Sequence, residues 1–529
     1  MHRLVIALTT LLAAVGAAVV IAYLFVFGPS ADRAANLAPA GTVAYVSVYL
    51  TPSSGQQANL ADLLTKLPGL TDRSALGTKI DEITQRQVTT AGLDYRADIK
   101  PWLGDEVAVA LLQIPSTTDA SAPAPKGLVI AAVKDEAAAT AGMSRIIAKA
   151  RGTTSTASYQ GITVATVSGG SGGGAFAIVD GMLVAGPTLD IVHQAIDAAQ
   201  GRTDSLADTA AFRAAMQPLP SDRVASAYLD TPALAAASGQ TGQVSAVRPA
   251  GFALVVKSDG LELVGRIPID PGTAGASAVA MLGLGSSPGE LSGWMPATTQ
   301  AELVIFGAQQ GFAALEGQLA SLPDGQAVQQ ALSQLRGLAA LGLGIDLDRD
   351  LLPLFDREAA VALQDFSGST IRGQLLLRPS NPTAAQDALK RVADALRGRG
   401  SQVSDQQVGG VTVTTVNVPQ VGQLAFAIDQ GTVIVALTPD DVKAAVTAHG
   451  SGANLASSAA YKQAFEVAGG RAGAELYVDA ARLISLIGGT QSPDLPSDAR
   501  DMLTHVGAIA ISAPTSANAI EIRATVTVH

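Results

Sequence analysis

The stretch Gly92-LDYRADIKPWLGDEVAVAL-Leu112 recurs later in the chain as Gly344-IDLDRDLLPLFDREAAVAL-Gln364, at an offset of 344 − 92 = 252 residues. Further matches follow in the same order at offsets such as 410 − 161 = 249 and 425 − 175 = 250: 161–167 with 410–416, 175–197 with 425–447, 206–215 with 455–464, and 225–234 with 474–483. Matches of this extent and order indicate a tandem duplication, so both halves are expected to share one fold.

The duplication divides the 529-residue chain into two parts of ordinary domain size. We predict a cytoplasmic stub at 1–3, a transmembrane anchor at 4–27, a first domain at 37–270, a linker at 271–291 and a second domain at 292–529. The linker is placed where Gly, Pro and Ser are concentrated, because these residues are typical of connections.

Each half alternates between strand-like and helical patterns. Asp180-Gly181 and Asp259-Gly260 each separate two strand-like runs by the dipeptide that a primed hairpin turn prefers. Successive strands joined by such short turns pair antiparallel. The predicted fold class is therefore α+β: a transmembrane helix followed by two homologous domains, each a mainly antiparallel sheet with helices packed on one face.

Residues 4–27 form an uncharged apolar run. As a helix this run measures roughly 36 Å, against about 30 Å for the hydrocarbon core of a bilayer. A cleaved signal peptide is the alternative, but its apolar region is shorter, about 7 to 15 residues, and ends at a small-residue cleavage site. Arg3 precedes the run, so the positive-inside rule places residue 1 in the cytoplasm. The expected location is the cell membrane, with a single crossing and the bulk of the chain extracytoplasmic.

The composition argues against several classes of function. The formal net charge is -11 and Lys and Arg are not clustered, which disfavours nucleic acid as a partner. Cysteine is absent, which excludes disulfides, thiolate metal sites and cysteine nucleophiles. Hydrophobic residues make up 48% of the chain, enough for large packed cores. We expect no cofactor.

Beyond the apolar run the chain contains, in this order, LAPAGTVAYVSVYL at 37–50, LTKLPGL at 64–70 and GLDYRADIKPWLGDEVAVAL at 92–111. This order of segments resembles the bacterial family called domain of unknown function 3352. The most specific element, DIKPWLG, runs from Asp98 to Gly104 and includes Pro101 and Trp102. Its second copy keeps Pro353 but has leucine in place of the tryptophan and aspartate in place of the glycine. The resemblance implies an exported, membrane-anchored protein, and it supplies no established activity, cofactor or catalytic residue.

Two strings fit the Gly-x-Ser-x-Gly pattern of a hydrolase nucleophile, with Ser171 and Ser287 at the serine position. That pattern requires a turn from a strand into a helix, whereas Ser171 lies in a glycine run and Ser287 in the predicted linker. His193, His449 and His505 lack the paired spacing of a helical zinc site. We therefore name no catalytic residue and no metal ligand.

Asp346, Asp348 and Asp350 alternate as in the first half of a calcium loop. The glycine and the final glutamate of such a loop are missing, so a solvated turn is favoured and a metal site is the alternative.

Tyr228-x-Asp230 and Tyr477-x-Asp479 recur in the two halves, each just before a helical stretch. An aspartate at that position accepts hydrogen bonds from the amides of the first helical turn, so helix capping is favoured over paired-carboxylate chemistry. Trp102 is similarly expected to be a packing anchor rather than a platform for a ligand.

These observations favour a non-enzymatic binding or structural module of the bacterial cell envelope. Its expected partners are the membrane, through the N-terminal helix, and an envelope protein or a lipid. Two alternatives stay open: a carrier or sensor of an apolar ligand such as lipid, and a hydrolase that uses paired Asp and Glu. Convergent acids in a deep cleft would favour the hydrolase, whereas an exposed apolar patch would favour binding.

Overall fold

A computed structural model describes most of the chain and divides it into two compact units, Met1–Asp270 and Pro271–His529, called units 1 and 2. The described residues are 32–67, 70, 72, 76–89, 93–113, 126–169, 173–237, 246–274, 282, 285, 287–319, 325–337, 340, 345–365, 372–418, 422–482 and 504–529. The predicted domain and linker bounds stay predictions.

The described strands of unit 1 pair antiparallel throughout. They are β1 (Ala44–Tyr49), β2 (Leu103–Gln113), β3 (Lys126–Val133), β4 (Gly152–Tyr159), β5 (Ile162–Gly169), β6 (Gly174–Val179), β7 (Met182–Gly186), β8 (Ala225–Leu229), β9 (Ala250–Lys257) and β10 (Gly260–Pro268). Their order across the sheet is β4-β5-β6-β7-β3-β2-β1-β8-β9-β10.

Unit 2 repeats this arrangement. Its described strands are β11 (Ala301–Phe306), β12 (Glu358–Asp365), β13 (Arg372–Arg378), β14 (Val403–Val408), β15 (Val411–Val418), β16 (Gly422–Asp429), β17 (Thr432–Ala436), β18 (Ala474–Val478), β19 (Val506–Ala513), β20 (Thr515–Ser516) and β21 (Ala519–Val528). Their order is β14-β15-β16-β17-β13-β12-β11-β18-β19-β21, with β20 paired to β21. The internal similarity of the sequence thus corresponds to a repeated topology.

The helices lie between these strands. Unit 1 has α1 (Ser54–Thr65), α2 (Leu76–Thr89), α3 (Glu136–Lys149), α4 (Leu189–Ala199), α5 (Ala210–Met216) and α6 (Thr231–Ala237), and unit 2 has α7 (Ala308–Leu319), α8 (Gly325–Gly337), α9 (Pro382–Arg397), α10 (Pro439–Ser451) and α11 (Ala459–Val467). Most begin at a polar cap. Ser53, Asp135 and Thr188, for example, each accept a hydrogen bond from the backbone amide three residues on, which satisfies a free amide of the first turn.

Helices pack on both faces of the strands in each unit. In unit 1, α4 and α5 pack on the face that carries Tyr45 and Ile130, whereas α3 packs with Trp102 on the opposite face. Within each unit the described strands pair antiparallel. The predicted fold class placed the helices of each half on one face of a mainly antiparallel sheet, and it was therefore wrong. Both faces of the central strands are apolar, so packing of helices on both faces is favourable.

Among the described residues, no helix combines the length and the hydropathy needed to cross a membrane. The predicted stub at 1–3 and the predicted anchor at 4–27 lie outside the described residues. Asp32 is the first described residue, and its carboxylate accepts hydrogen bonds from Arg223 (2.9 Å) and from the Tyr49 hydroxyl (2.5 Å).

The two predicted hairpin turns had different outcomes. Asp180 and Gly181 join β6 to β7 with φ angles of 50° and 72°, which is the predicted primed turn. At the second site Lys257 pairs with Gly260, so the turn consists of residues 258 and 259, and neither has a positive φ. That turn was predicted one residue too late, because Gly260 already belongs to β10.

The DIKPWLG element begins at the end of a short π-helical turn, Tyr95–Ile99, and runs into β2. The indole Nε1 of Trp102 donates a hydrogen bond to the carbonyl oxygen of Asp98 at 2.6 Å. The Asp98 carboxylate is buried and accepts hydrogen bonds from Lys149 (2.5 Å) and Arg145 (3.1 Å) of α3. The hydrogen bond from Lys149 lowers the pKa of Asp98 below its usual range, so the carboxylate is ionised at neutral pH and ties α3 to the turn.

The close approach of α3 to this turn requires a glycine. A Cβ atom at Gly142 would lie 2.5 Å from the Asp98 carbonyl oxygen and 2.7 Å from the Trp102 indole nitrogen. Unit 2 has Leu354 where unit 1 has the tryptophan (354 − 102 = 252), and it has Ala388 where unit 1 has the glycine (388 − 142 = 246). The second offset also relates the caps of the two helices (381 − 135 = 246). A smaller residue in the turn thus accompanies a larger one in the helix.

We predict that Gly142→Ala destabilises the protein by about 1–3 kcal/mol, because the added methyl overpacks the contact with Trp102. The same substitution should cost less in a Trp102→Leu background, which recreates the residue pair of unit 2. Urea unfolding followed by circular dichroism measures both costs. Gly311→Ala is the control, since its Cβ meets nothing within 4 Å. Equal costs in the two backgrounds would contradict this account of the packing.

Candidate functional site

The central strands of unit 1 present two apolar faces on alternate residues. The first, here called the covered face, carries Tyr45 and Ile130 and is buried beneath α4 and α5. The second, here called the open face, carries Val46, Val109 and Val129, which are exposed. The open face is where a large apolar surface remains accessible.

A straight row of apolar side chains crosses the open face of unit 1. Strand register aligns seven residues side by side, none of them fully buried: Phe252, Ala227, Val46, Val109, Val129, Ala185 and Phe176. At its centre, Val46, Val109 and Val129 are 41%, 43% and 47% exposed. Six intervals of about 4.8 Å between strands make the row roughly 29 Å long.

Unit 2 has the same row. Its seven aligned residues, again none fully buried, are Ile511, Leu476, Leu303, Val361, Leu375, Val435 and Phe426. Leu303 and Val361 are 42% and 52% exposed. The two central positions correspond to those of unit 1 at offsets of 303 − 46 = 257 and 361 − 109 = 252. Both halves of the duplication therefore keep the register, the apolar character and the accessibility of this apolar row.

The helical cover of the open face ends beside the apolar row. In unit 1 the adjacent positions along the strands include Val107, Ala131 and Leu183, which pack with Trp102 and α3. On β9 the cover is α1, where Gln56 accepts a hydrogen bond from the backbone amide of Val256 at 2.8 Å. The DIKPWLG element therefore helps to form a wall along one side of the row.

In unit 2 the wall is built from the corresponding elements. Leu354, of the second copy of DIKPWLG, packs with Leu389 of α9 over Ala359, Leu377 and Val433. Apolar side chains occupy every position of both rows, so neither row offers a hydrogen-bonding group to a polar substrate. Contact with an apolar ligand would remove that surface from water, and the free energy of binding would gain about 25 cal/mol for each Å² buried. The arrangement is suited to binding.

The two predicted tyrosines lie on the covered face, away from the row. Tyr228 is buried with its ring 5.4 Å from that of Phe212, and Tyr477 is buried with its ring 4.9 Å from that of Tyr461. Burial raises the pKa of Tyr228 to about 12. Both are core residues in this structure.

The predicted polar and turn residues have local contacts. Asp230 accepts a hydrogen bond from the Ala233 amide (3.0 Å) and Asp479 accepts one from the Arg482 amide (3.1 Å), as helix caps do. Gly104 lets β2 approach β3, because a Cβ there would lie 2.9 Å from that of Ala132. Pro101 is exposed, and Pro353 lies in the 3-10 turn Leu352–Phe355.

The three alternating aspartates do not converge. Asp346 caps a π-helical turn, Asp348 pairs with Arg336 (2.9 Å), and Asp350 pairs with Arg391 (2.8 Å). Within the described ranges, no group of His, Asp and Glu side chains is arranged to hold a metal ion. Ser171 lies outside the described residues.

The model of the family described as "Protein of unknown function (DUF3352)" matches residues 4–528. The chain belongs to the DUF3352 family. The resemblance noted from the DIKPWLG element is thereby confirmed. No curated protein matches the chain in sequence.

Solved structures show only a remote likeness to this DUF3352 protein. Crystal form III of TP0453 is 8% identical with a TM-score of 0.25, covering 47% of this chain and 84% of that one. Crystal form I of TP0453 is 9% identical with a TM-score of 0.24, covering 47% of this chain and 80% of that one. Likeness at this level carries no weight for fold or function.

Sequence reasoning missed three buried glutamates on the covered face of unit 2 in this DUF3352 protein. Glu475 accepts hydrogen bonds from Arg471 (2.8 Å) and from the Tyr461 hydroxyl (3.2 Å), and Glu358 accepts one from the backbone amide of residue 291 (2.9 Å). Glu302 has no hydrogen-bond partner among the described residues, since the nearby Tyr461 hydroxyl donates to Glu475. Burial raises the pKa of Glu302 to about 8. The signal was available, because each glutamate occupies an inward position of an apolar strand.

We predict that Glu302→Gln removes a pH dependence of stability. The folded-state pKa lies above the ordinary value of 4.5, so the folded protein holds this proton more tightly than the unfolded chain does. Wild-type stability should therefore fall as the pH rises from roughly 5 to 8, by at most about 1.4 kcal/mol per pH unit, while the variant stays flatter. Urea midpoints across this range test the prediction. Parallel curves for the two proteins would show that Glu302 does not retain a proton.

Proposed function

We propose that this DUF3352 protein is a non-enzymatic, membrane-anchored binding module of the bacterial cell envelope, with its two units extracytoplasmic. We further propose that its ligand is a long apolar molecule of the lipid acyl-chain class, taken up along the apolar row of each unit. The observation that supports this most strongly is the aligned seven-residue apolar row with exposed residues at its centre, present in the same register in both units.

The dimensions and chemistry of the row support an acyl chain. Its length of roughly 29 Å exceeds that of a single extended fatty acyl chain and is close to the thickness of a bilayer core. Each methylene moved out of water contributes about 0.8 kcal/mol, so contact with about eight methylenes supplies roughly 6 kcal/mol before the entropy of association is subtracted. The apolar run at 4–27 would hold the units next to a source of such lipids.

The hydrolase alternative receives less support. The buried acids of unit 2 lie on the covered face, in the core around Tyr461 and Tyr477, and not beside the accessible row. Glu475 is paired with Arg471, which holds it in a structural ion pair. Paired-carboxylate catalysis requires acids that reach a substrate.

We predict that lipid labels the apolar rows. The full-length chain is placed in vesicles of phosphatidylethanolamine and phosphatidylglycerol that contain a phospholipid with a diazirine in its acyl chain. After irradiation, mass spectrometry of peptides should find the label on β1–β3 and on β11–β13. Val109→Lys should reduce labelling of unit 1 at least about fivefold, because a charge is costly in an apolar contact, and leave unit 2 unchanged.

The duplication supplies the matched controls. Val361→Lys should have the reciprocal effect, and Thr154→Lys, on an exposed strand away from the row, should change neither unit. Labelling of the rows no stronger than that of the β4–β5 hairpin would contradict the proposal.

A further inference from the structure

The strand β4 at the outer side of unit 1 is exposed on both of its faces. Residues 153–158 are all exposed, and they consist of Thr, Ser and Ala only. Within the described part of the chain, β4 pairs with β5 alone. Its other edge therefore presents a row of backbone N–H and C=O groups to solvent.

This edge lacks the features that usually prevent one sheet from pairing with another. All eight residues of β4 pair with β5 in continuous register, from Gly152 with Gly169 to Tyr159 with Ile162, without a bulge. The strand contains no charged residue and no proline. Proteins commonly protect exposed edges with charges, prolines, bulges or very short strands. An uncharged, eight-residue edge without a bulge is suited to pairing with another strand.

The corresponding strand of unit 2 does carry a protecting charge. Asp405 is exposed in the middle of β14 and accepts a hydrogen bond from the Thr414 hydroxyl at 2.7 Å. Asp405 is equivalent to Thr156 of unit 1, because the two residues occupy the same position in the register of their hairpins. Their offset, 405 − 156 = 249, is also the offset of the turn residues (410 − 161 = 249). The two halves share the hairpin and differ in the residue that protects its edge.

We propose that β4 is a dimerisation edge, which pairs antiparallel with β4 of a second copy of this chain. A two-fold axis between the two β4 strands, perpendicular to the sheet, brings Thr and Ser of one copy opposite Thr, Ser or Ala of the other, and such cross-strand pairs are favourable. Because β4 is uncharged, two copies meet without repulsion. A different extended partner would be selected by side-chain pockets beside the edge, and the exposed small side chains of β4 form none.

The absence of cysteine from the chain allows a direct test by disulfide trapping. Single-cysteine variants Thr154→Cys, Ser155→Cys and Thr156→Cys of the full-length chain are purified in mild detergent and oxidised. A disulfide requires Cβ atoms about 3.5–4.5 Å apart, so one or two of these positions should give a dimer on a non-reducing gel. The dimer yield of the best of them should exceed that of Ser404→Cys, the exposed position of β14 that corresponds to Ser155 (404 − 155 = 249), at least about fivefold.

Transplanting the protecting charge of unit 2 supplies the second measurement. Adding Thr156→Asp to the best trapping variant at 154 or 155 should reduce the dimer yield to the level of Ser404→Cys, and Thr156→Val should not. Both substitutions are on an exposed strand, and thermal unfolding checks that the fold is kept. Dimer yields equal to that of the β14 control at all three positions would overturn the proposal. So would dimers that are indifferent to the added aspartate.

Discussion

The central strands of each unit are apolar on both faces, and the rest of the structure follows from that constraint. Ala108 of β2 points into one core while its neighbour Val109 points to the other side, and neither face can be left to water without cost. Helices therefore pack on both sides. The cover is complete on one face and stops short on the other, which leaves an apolar row accessible in each unit.

The edge of that cover is set by the DIKPWLG element. The ionised Asp98 holds α3 through Lys149 and Arg145, while Trp102 fills the space that Gly142 leaves open. Unit 2 has the same architecture with a leucine and an alanine, and there Asp350 is held by arginines. The recurring residues of the family motif thus position the wall beside the row, and none of them is required to touch a ligand.

Much of this fold could be predicted from local patterns. The duplication, the antiparallel pairing and the hairpin at Asp180-Gly181 follow from residue spacing alone. The cover on the second face could not be predicted, because it depends on where α1 and α3 pack, and that is decided by contacts distant in sequence such as Arg145 with Asp98. The sequence did offer one sign: an uninterrupted apolar run such as VAVALL of β2 indicates that both faces of a strand are covered or bind a ligand.

The candidate site was harder to predict than the fold. In the sequence, Val109 and Val361 resemble ordinary core positions of a strand. Only the pairing of residues across seven neighbouring strands shows that they belong to the two apolar rows. Glu302 illustrates the opposite difficulty. Glutamates are mostly exposed, yet the strand phase places this one inside, where burial raises its pKa.

Native mass spectrometry of the full-length chain, released from the membrane of a bacterium that exports it and followed by lipid extraction, tests the central claim most directly. The account predicts that the protein carries lipid in a stoichiometric amount, up to two sites for two rows, and that Val109→Lys with Val361→Lys loses it. If the wild-type protein has the mass of the chain alone, as the double variant does, the account is contradicted.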